Sequence, residues 1–294
     1  MKVGFIGLGR MGQGIAGRIR SAGHDMLVFD PAPGQTESLV KAGAAAVDSV
    51  ASVTAGREVV VSMLPSDEAL RSVLDGEDGL LVTMPADCVH MAMGTHGIMA
   101  IDTATRLHEA AGQHFVACPV LGRPNLAAEG LLNLIPAGSP DAVGRVRPLF
   151  DVIGKQTFEV GSEPRVATTI KVASNFMLGC AIEAMGEAIN LVEKLDVDPS
   201  LFLDVTLKGL FGAPAYETYG RMIVDKAWQG HGATAVIGLK DAELALEAAR
   251  LADMTLPSTY VWRDYLKAAI ERGDGKLDWA VMAREHARDS GLGQ

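Results

Sequence analysis

Aromatic and basic side chains are both scarce in this sequence. Aromatic residues make up 5% of the 294 residues, which leaves few stacking surfaces for single-stranded nucleic acid. Lys and Arg total 26 against 36 Asp and Glu, so the formal net charge is -10. A protein that binds duplex DNA needs a basic surface, and an acidic surface repels anionic lipid. We therefore expect no nucleic acid and no membrane partner, although one local Arg or Lys suffices to bind a small anion.

Cysteine is rare, and long apolar runs are absent. The three cysteines, Cys88, Cys118 and Cys180, lie far apart and lack the spacing of metal ligands, which is typical of the reducing cytoplasm. The apolar start of the chain is interrupted by glycine every few residues, unlike the core of a signal peptide. No stretch of about 18 apolar residues occurs, so we expect no transmembrane helix and a cytoplasmic location.

The length and the apolar content favour two folded domains. Hydrophobic residues make up 48% of the chain, and about 150 residues per domain gives two domains. In the first half, apolar runs of strand length alternate with stretches of helix length, such as 11–22 and 67–74. This alternation predicts a doubly wound, parallel α/β sheet domain over residues 1–163. The predicted strands are 3–6, 26–29, 59–64, 88–93, 115–120 and 131–136.

From about residue 164 the pattern becomes helical, and no further strand is predicted. Apolar residues recur every three or four positions from Val166 to Leu195, and Pro199 ends the run. A helix of about 31 residues is roughly 46 Å long, which exceeds the diameter of a small domain. We therefore predict a long helix that joins the sheet domain to an all-helical domain over residues 164–294. Further helices are predicted at 236–253, 257–272 and 277–288.

A glycine-rich turn follows the first predicted strand and opens a helical pattern. Its residues form the pattern G-x-G-x-x-G and are Gly7, Leu8, Gly9, Arg10, Met11 and Gly12. The glycines permit a tight turn, close approach of a pyrophosphate and close helix–strand packing, and the helix N-terminus offers N–H groups to phosphates. The motif therefore predicts a Rossmann-type dinucleotide site. The alternative is the same turn without a ligand.

Asp30 ends the second predicted strand, 18 residues after Gly12. An acidic residue at about this spacing binds the ribose hydroxyls of a dinucleotide. A carboxylate repels the 2′-phosphate of NADP, and residues 31–35 contain no Arg or Lys to hold it. We therefore predict NAD rather than NADP. The alternative is that Asp30 is a solvated turn residue.

A lysine interrupts the apolar stripe of the long helix. Lys171 shares a helix face with Ser174 and Asn175, which follow it by three and four residues. A lysine can exchange a proton with an alcohol or carbonyl if burial or a neighbouring cation brings its pKa towards neutrality. The alternative, which the periodicity alone favours, is a lysine that extends its amine to water at the helix edge.

Five segments together resemble the β-hydroxyacid dehydrogenase family, which includes 3-hydroxyisobutyrate dehydrogenases and tartronate semialdehyde reductases. The resemblance covers nearly the whole chain and implies a Rossmann domain, an all-helical domain and a long connecting helix, usually in a homodimer or homotetramer. The segments are G-F-I-G-L-G-R-M-G at 4–12, S-M-L-P at 62–65, C-P-V-L-G-R at 118–123, K-x-x-x-N at 171–175 and K-D at 240–241.

The resemblance implies a role for each matching residue. Lys171 would be the general acid/base, and Asn175, with Ser174 beside it, would hold the substrate. Gly122 and its neighbours would offer backbone N–H groups to a substrate carboxylate. The resemblance also implies further cofactor contacts, at Met63, Leu64, Pro65, Thr95 and Lys240. Of these, Thr95 would lie beside the nicotinamide ribose and Lys240 near the nicotinamide.

Two residues depart from the family pattern in the substrate segment. Leu121 stands where a serine is usual, and Arg123 replaces a glycine. A guanidinium suits a carboxylate, sulfonate or phosphate, and the Gly122–Arg123 pair resembles the sulfolactaldehyde reductase branch of the family. We expect a short hydroxy acid or aldehyde with an anionic end. The alternative is that Arg123 faces solvent or pairs with Glu129.

The histidines do not predict a metal site. The spacings of His90, His96, His108 and His114 match no common zinc arrangement, and the family resembled here uses no metal. We therefore expect no bound metal.

The sequence as a whole predicts an NAD-dependent oxidoreductase. Hydride would move between NAD(H) and a short 3-hydroxy acid or its semialdehyde, with Lys171 moving the proton. An imine reductase is one alternative, although those enzymes generally have Asp or Tyr in place of this lysine. A catalytically silent NAD-binding protein is the other, because Leu121 is unusual.

Overall fold

The structure is a computed structural model that describes residues 1–229 and 232–292. The chain divides into two compact units, Met1–Lys171 and Val172–Gln294. All strands found in the described residues lie in the first unit, and the second unit is built of helices. The fold class predicted from the sequence, an α/β sheet domain followed by an all-helical domain, is therefore confirmed.

Ten short strands form two sheets in the first unit. They are β1 (Lys2–Ile6), β2 (Asp25–Phe29), β3 (Ala45–Ala46), β4 (Val59–Ser62), β5 (Val89–Ala92), β6 (His114–Ala117), β7 (Val120–Leu121), β8 (Leu132–Leu134), β9 (Ala137–Gly138) and β10 (Gly154–Thr157). The main sheet has the order β3-β2-β1-β4-β5-β6-β9, in which only the pairing of β6 with β9 is antiparallel. The strand order reverses between β1 and β4, where doubly wound sheets bind their ligands at the carboxyl edge.

The first four predicted strands lie in the centre of this sheet. The prediction of one strand over 115–120 is wrong at its end, because β6 stops at Ala117 and Pro119 has no backbone N–H for a ladder. The predicted strand over 131–136 is shorter than expected and belongs to a second sheet. That sheet has the order β10-β8-β7.

Helices cover both faces of the main sheet. They are α1 (Arg10–Ser21), α2 (Glu37–Lys41), α3 (Val50–Thr54), α4 (Asp67–Leu74), α5 (Leu80–Thr83), α6 (Ile98–Ala110), α7 (Pro124–Glu129) and α8 (Pro140–Ile153). Successive strand residues face opposite sides of a sheet. Phe5 therefore packs in the apolar cluster that includes α1 and α8, while Ile6 packs in the cluster that includes α4 and α6.

The second unit begins inside a long helix. Its helices are α9 (Pro164–Lys194), which starts in the first unit, α10 (Pro199–Gly209), α11 (Pro214–Val224), α12 (Ala235–Leu251), α13 (Pro257–Glu271) and α14 (Met282–Asp289). The helix predicted over 277–288 is wrong at its start, because a 3-10 turn over Trp279–Val281 precedes α14. Across residues 1–229 and 232–292, no helix combines the length and the apolar character needed to cross a membrane.

Two tryptophans organise the core of the second unit. Trp262 and Trp279 are almost fully buried, and their rings meet edge to face with centroids 6.2 Å apart. The indole N–H of Trp279 donates a hydrogen bond of 2.9 Å to the hydroxyl of Tyr219. This core holds α9, α11, α12 and α13 together.

Glu183 is a buried acid on α9. Its side chain is 6% exposed, and neither carboxylate oxygen has a hydrogen-bond partner among the described residues. Burial, with a smaller contribution from the charge of Glu187, raises the pKa of Glu183 to about 8. Folding therefore favours the protonated side chain.

Replacing Glu183 by glutamine is expected to stabilise the protein in alkali more than in acid. Because the folded pKa of the acid is raised, the free energy of unfolding of the wild type falls as pH rises from about 4.5 to about 8. A neutral amide does not titrate, so the stability of the Glu183→Gln variant lacks this dependence on pH. The gain in free energy of unfolding from Glu183→Gln should therefore be roughly 2–4 kcal/mol larger at pH 9 than at pH 5. Urea unfolding at the two pH values measures it. Glu77→Gln, at an exposed position, is the control, and an equal effect of Glu183→Gln at both pH values would contradict the prediction.

Candidate active site

The glycine turn connects β1 to α1 with very close backbone contacts. Gly7 has a φ of +91°, a left-handed conformation that favours glycine. A Cβ on Gly12 would lie 2.0 Å from the carbonyl oxygen of Gly7, so no larger residue fits there. Gly9 is the N-cap of α1 and supplies no capping side chain, which leaves the first N–H groups of the helix to bind another acceptor.

Asp30 follows β2 and is tied to the glycine turn. One carboxylate oxygen accepts a 2.6 Å hydrogen bond from the N–H of Leu8, and the other accepts a 2.8 Å bond from the N–H of Ala32. A carboxylate has about four acceptor positions, so Asp30 can accept further hydrogen bonds from a hydroxyl. The structure thus places Asp30 beside the turn, as expected for a dinucleotide site.

The loops after β4 and β5 lie at the same edge of the sheet as the glycine turn. The N–H of Met63 donates to the carbonyl oxygen of Ile6 over 2.9 Å, and a Cβ on Gly7 would lie 2.5 Å from the carbonyl oxygen of Met63. Met63, Leu64 and Pro65 therefore adjoin the turn. Thr95 follows β5, the next strand along.

A histidine and an aspartate connect these two loops. Nδ1 of His96 lies 3.1 Å from Oδ1 of Asp67, in the first turn of α4, and the N–H of Gly97 donates to the same carboxylate. No local motif marks this pair in the sequence, since 29 residues separate its members.

A buried chain of hydrogen bonds runs from the end of β4 into the sheet domain. Ser62 Oγ lies 2.8 Å from His90 Nε2, His90 Nδ1 lies 2.9 Å from His108 Nε2, and His108 Nδ1 lies 2.8 Å from Gln113 Oε1. The amide nitrogen of Gln113 donates to backbone carbonyl oxygens around α5, so Oε1 must accept from His108. It follows that His108 accepts from His90, and that His90 accepts from the Ser62 hydroxyl.

Both histidines of this hydrogen-bonded chain, His90 and His108, are neutral. Burial lowers the pKa of His108 to about 4, while burial and the neighbouring His108 and His96 lower the pKa of His90 well below its usual value. His114 lies apart, at the start of β6. Within the described residues, no three His, Cys, Asp or Glu side chains are grouped as metal ligands would be.

The segment at 118–123, which the resemblance predicts to bind substrate, turns from the small sheet into α7. Arg123 is the N-cap residue of α7 and is half-buried, and its Nη1 atom is shielded from solvent. Gly122 immediately precedes it. Leu121 packs on one of the apolar clusters of the sheet, so this departure from the family pattern extends the core.

The second unit contains a polar group built on α9 and α12. The amide nitrogen of Asn175 donates a 2.7 Å hydrogen bond to Oδ2 of Asp241, and the Lys240 amine lies 3.2 Å from Oδ1 of the same carboxylate. Asn175 and Asp241 are both buried. The paired carboxylate fixes the orientation of the Asn175 amide on the helix face that also carries Lys171 and Ser174. From the sequence, Asp241 was expected to orient Lys240 or to cap a helix, and its hydrogen bond to Asn175 was not predicted.

Two family models together cover most of the chain. The model for the NAD binding domain of 6-phosphogluconate dehydrogenase matches residues 2–161. The model described as NAD-binding of NADP-dependent 3-hydroxyisobutyrate dehydrogenase matches residues 166–285. The chain belongs to the β-hydroxyacid dehydrogenase family. The resemblance drawn from the five sequence segments is confirmed.

Individual relatives match this chain along nearly its whole length. It is 36% identical to the uncharacterized oxidoreductase YfjR of Bacillus subtilis (strain 168), over 97% of this chain and 99% of that protein. It is 26% identical to the 3-sulfolactaldehyde reductase of Escherichia coli (strain K12), over 99% of this chain and 97% of that protein. The 3-hydroxyisobutyrate dehydrogenase of Mycobacterium tuberculosis, solved with L-serine, has the same fold, with a TM-score of 0.86 at 24% identity over 96% and 98% of the two chains.

Membership of this family makes the protein an oxidoreductase with a nicotinamide dinucleotide cofactor. The glycine turn fits the pyrophosphate of such a cofactor. A Cβ on Gly9 would meet no atom within 4 Å, so the backbone is open to a ligand at this point, next to the first N–H groups of α1.

Proposed function

We propose that this protein interconverts a short 3-hydroxy acid and its semialdehyde, with NAD rather than NADP as cofactor. The observation that carries the proposal is the polar group of Asn175, Asp241 and Lys240 on and beside the helix face of Lys171. An oriented amide and an amine on one helix face are suited to hold a hydroxyl or carbonyl oxygen and to exchange its proton.

Lys171 is the proposed general acid/base. When bound, the nicotinamide ring accepts or supplies the hydride. In the reducing direction the ammonium of Lys171 donates a proton to the carbonyl oxygen as it becomes a hydroxyl. In the oxidising direction the neutral amine takes that proton back, so one residue serves both directions.

Asn175 is proposed to hold the reacting end of the substrate. Because its amide nitrogen donates to Asp241, the orientation of the whole amide group is fixed before substrate binds. Asp241 is a positioning residue in this scheme, and the adjacent Lys240 balances its buried charge. Ser174 lies one residue before Asn175 and provides a second polar group on this face.

Arg123 and Gly122 are proposed to bind the anionic end of the substrate. A guanidinium forms charge-assisted, often bidentate hydrogen bonds with carboxylate or sulfonate. The relative named 3-sulfolactaldehyde reductase supports an anionic aldehyde as the substrate class. The half-buried position of Arg123 at the start of α7 also favours binding, because partial burial strengthens its attraction for an anion.

The preference for NAD is proposed from the end of β2. The Asp30 carboxylate is held beside the glycine turn, where it would accept hydrogen bonds from ribose hydroxyls and repel a 2′-phosphate. Residues 31–35 offer no Arg or Lys to neutralise that phosphate.

A steady-state screen tests the proposed reaction. We expect short 3-hydroxy acids to be oxidised, cyclic imines to remain unreduced, and kcat/KM to be higher with NAD than with NADP. Arg123→Gln should raise KM for a carboxylate or sulfonate substrate by roughly 10–100-fold, with a smaller effect on kcat, because it removes a charge-assisted contact. Arg106→Gln, at an exposed position on α6, is the control. An unchanged KM in the Arg123 variant would remove Arg123 from the binding site.

A further inference from the structure

The loop that follows β2 has little apolar packing to hold it in place. It contains Pro31 and Pro33, residues 31–34 are all exposed, and the first buried apolar side chain after the strand is Leu39 in α2. The loop begins at Asp30, where doubly wound sheets bind the adenosine ribose of a dinucleotide. Polar contacts must therefore fix the conformation of the loop on this side of the cofactor site.

Gln13, in the first turn of α1, supplies such contacts. Its amide nitrogen donates a hydrogen bond to the carbonyl oxygen of Gln35, and its amide oxygen accepts a 2.6 Å hydrogen bond from the hydroxyl of Ser38. Its backbone N–H donates over 2.9 Å to the carbonyl oxygen of Gly9, the N-cap residue of α1. One side chain thus ties the helix that begins at the glycine turn to the far end of the loop and to α2.

In this conformation the loop offers few hydrogen-bond donors to an anion. Its two prolines have no backbone N–H. The N–H of Ala32 donates over 2.8 Å to Asp30, and the N–H of Gln35 lies 3.5 Å from the carbonyl oxygen of Ala32. Of the backbone N–H groups in residues 31–35, only that of Gly34 has no acceptor among the described residues. A ribose 2′-phosphate needs donors or cations, whereas ribose hydroxyls need the acceptors that the Asp30 carboxylate provides.

We propose that Gln13 is a positioning residue that determines cofactor specificity, because it holds the loop after β2 in a donor-poor conformation that favours a free ribose over a ribose 2′-phosphate. Gln13 acts through the loop and makes no contact with the cofactor in this scheme. Without the bridge, the exposed loop can rearrange, and N–H groups now used within it become available to a phosphate. The inference rests on the proposed preference for NAD and names a residue that maintains it.

The binding of reduced cofactors, followed by their fluorescence, tests this inference without requiring turnover. Gln13→Met removes both side-chain hydrogen bonds at a similar side-chain volume. The Kd for NADH should rise by roughly 3–10-fold and the Kd for NADPH by less than about twofold, so the preference for NADH shrinks. Reduced nicotinamide mononucleotide, which lacks the adenosine half, should bind wild type and variant equally.

Two further variants separate the bridge from general effects of substitution. Ser38→Ala removes one of the two hydrogen bonds of the Gln13 amide, and should change the ratio of the two Kd values in the same direction by a smaller factor. Gln156→Met, the same change at an exposed position on β10, should leave all three Kd values unchanged. Thermal unfolding shows whether each variant is folded.

The inference is overturned if folded Gln13→Met binds NADH as tightly as wild type. It is also overturned if NADH and NADPH lose affinity by the same factor, or if the mononucleotide loses affinity too, because the bridge would then support only the fold. A wild type that binds NADPH more tightly than NADH would instead contradict the proposed NAD preference. Even then, the change in the Kd ratio between wild type and Gln13→Met decides the role of Gln13.

Discussion

Replacing Lys171 by alanine is expected to lower kcat by roughly 10³-fold while changing the Kd for NADH by less than about twofold. The reason is that Lys171 is proposed to move the proton, whereas the cofactor contacts proposed in the first unit lie in other segments of the chain. Single-turnover hydride transfer measures the first quantity, and NADH fluorescence measures the second. Lys41→Ala, at the exposed end of α2, is the matched control and should retain full activity.

The variant Lys171→Arg separates proton transfer from charge. A guanidinium keeps the positive charge but does not give up its proton in a protein. If Lys171 is the acid/base, Lys171→Arg should be about as slow as Lys171→Ala. Recovery of most of the activity by arginine would show that the lysine only binds an anion.

Replacing Gln113 by leucine is expected to cost roughly 2–4 kcal/mol of stability in the first unit. The change removes the acceptor for the Nδ1–H of His108 and the donor to the carbonyl groups around α5, all of them buried. Hydrogen exchange of the central strands or urea unfolding measures the loss. Gln156→Leu, at an exposed position on β10, is the control and should change stability by less than about 0.5 kcal/mol. A similar small effect for Gln113→Leu would mean that the chain of hydrogen bonds adds little stability.

The two buried histidines of this chain of hydrogen bonds also predict how the stability of the protein responds to acid. In the folded state burial lowers the pKa of His108 to about 4 and the pKa of His90 well below its usual value, while both return towards 6.5 on unfolding. The unfolded chain therefore binds more protons below pH 6.5, so the free energy of unfolding falls as pH falls from about 6.5 to about 4. His108→Phe should reduce this slope by about one proton, and an unchanged slope would contradict the lowered pKa of His108 in the folded state.

The centre of the sheet was predictable from the sequence, and its margins were not. Strands such as β4, with Val59–Ser62 buried throughout, read as continuous apolar runs because both faces are covered. The two-residue strands β3 and β9 consist of alanine and glycine, and only pairing with their neighbours makes them strands. The 3-10 turn before α14 depends on the Asp278 cap and on burial of Trp279, neither of which periodicity reveals.

In the candidate site, too, local features could be predicted from the sequence and contacts between distant segments could not. The glycine turn is local, so its spacing and its place after β1 could be predicted. The contacts of Asn175 with Asp241 and of His96 with Asp67 join segments that are 66 and 29 residues apart. Such pairs depend on tertiary structure, and a motif scan along the chain does not detect them.

The boundary between the two compact units falls inside α9, between Lys171 and Val172. Chimeras made with a related enzyme by crossing over at that point would take Lys171 from one parent and Asn175 from the other. A crossover in the loop before Pro164 would instead transfer both residues together. Recombination at the loop should therefore exchange the proposed proton-transfer helix as an intact module, separately from the nucleotide turn.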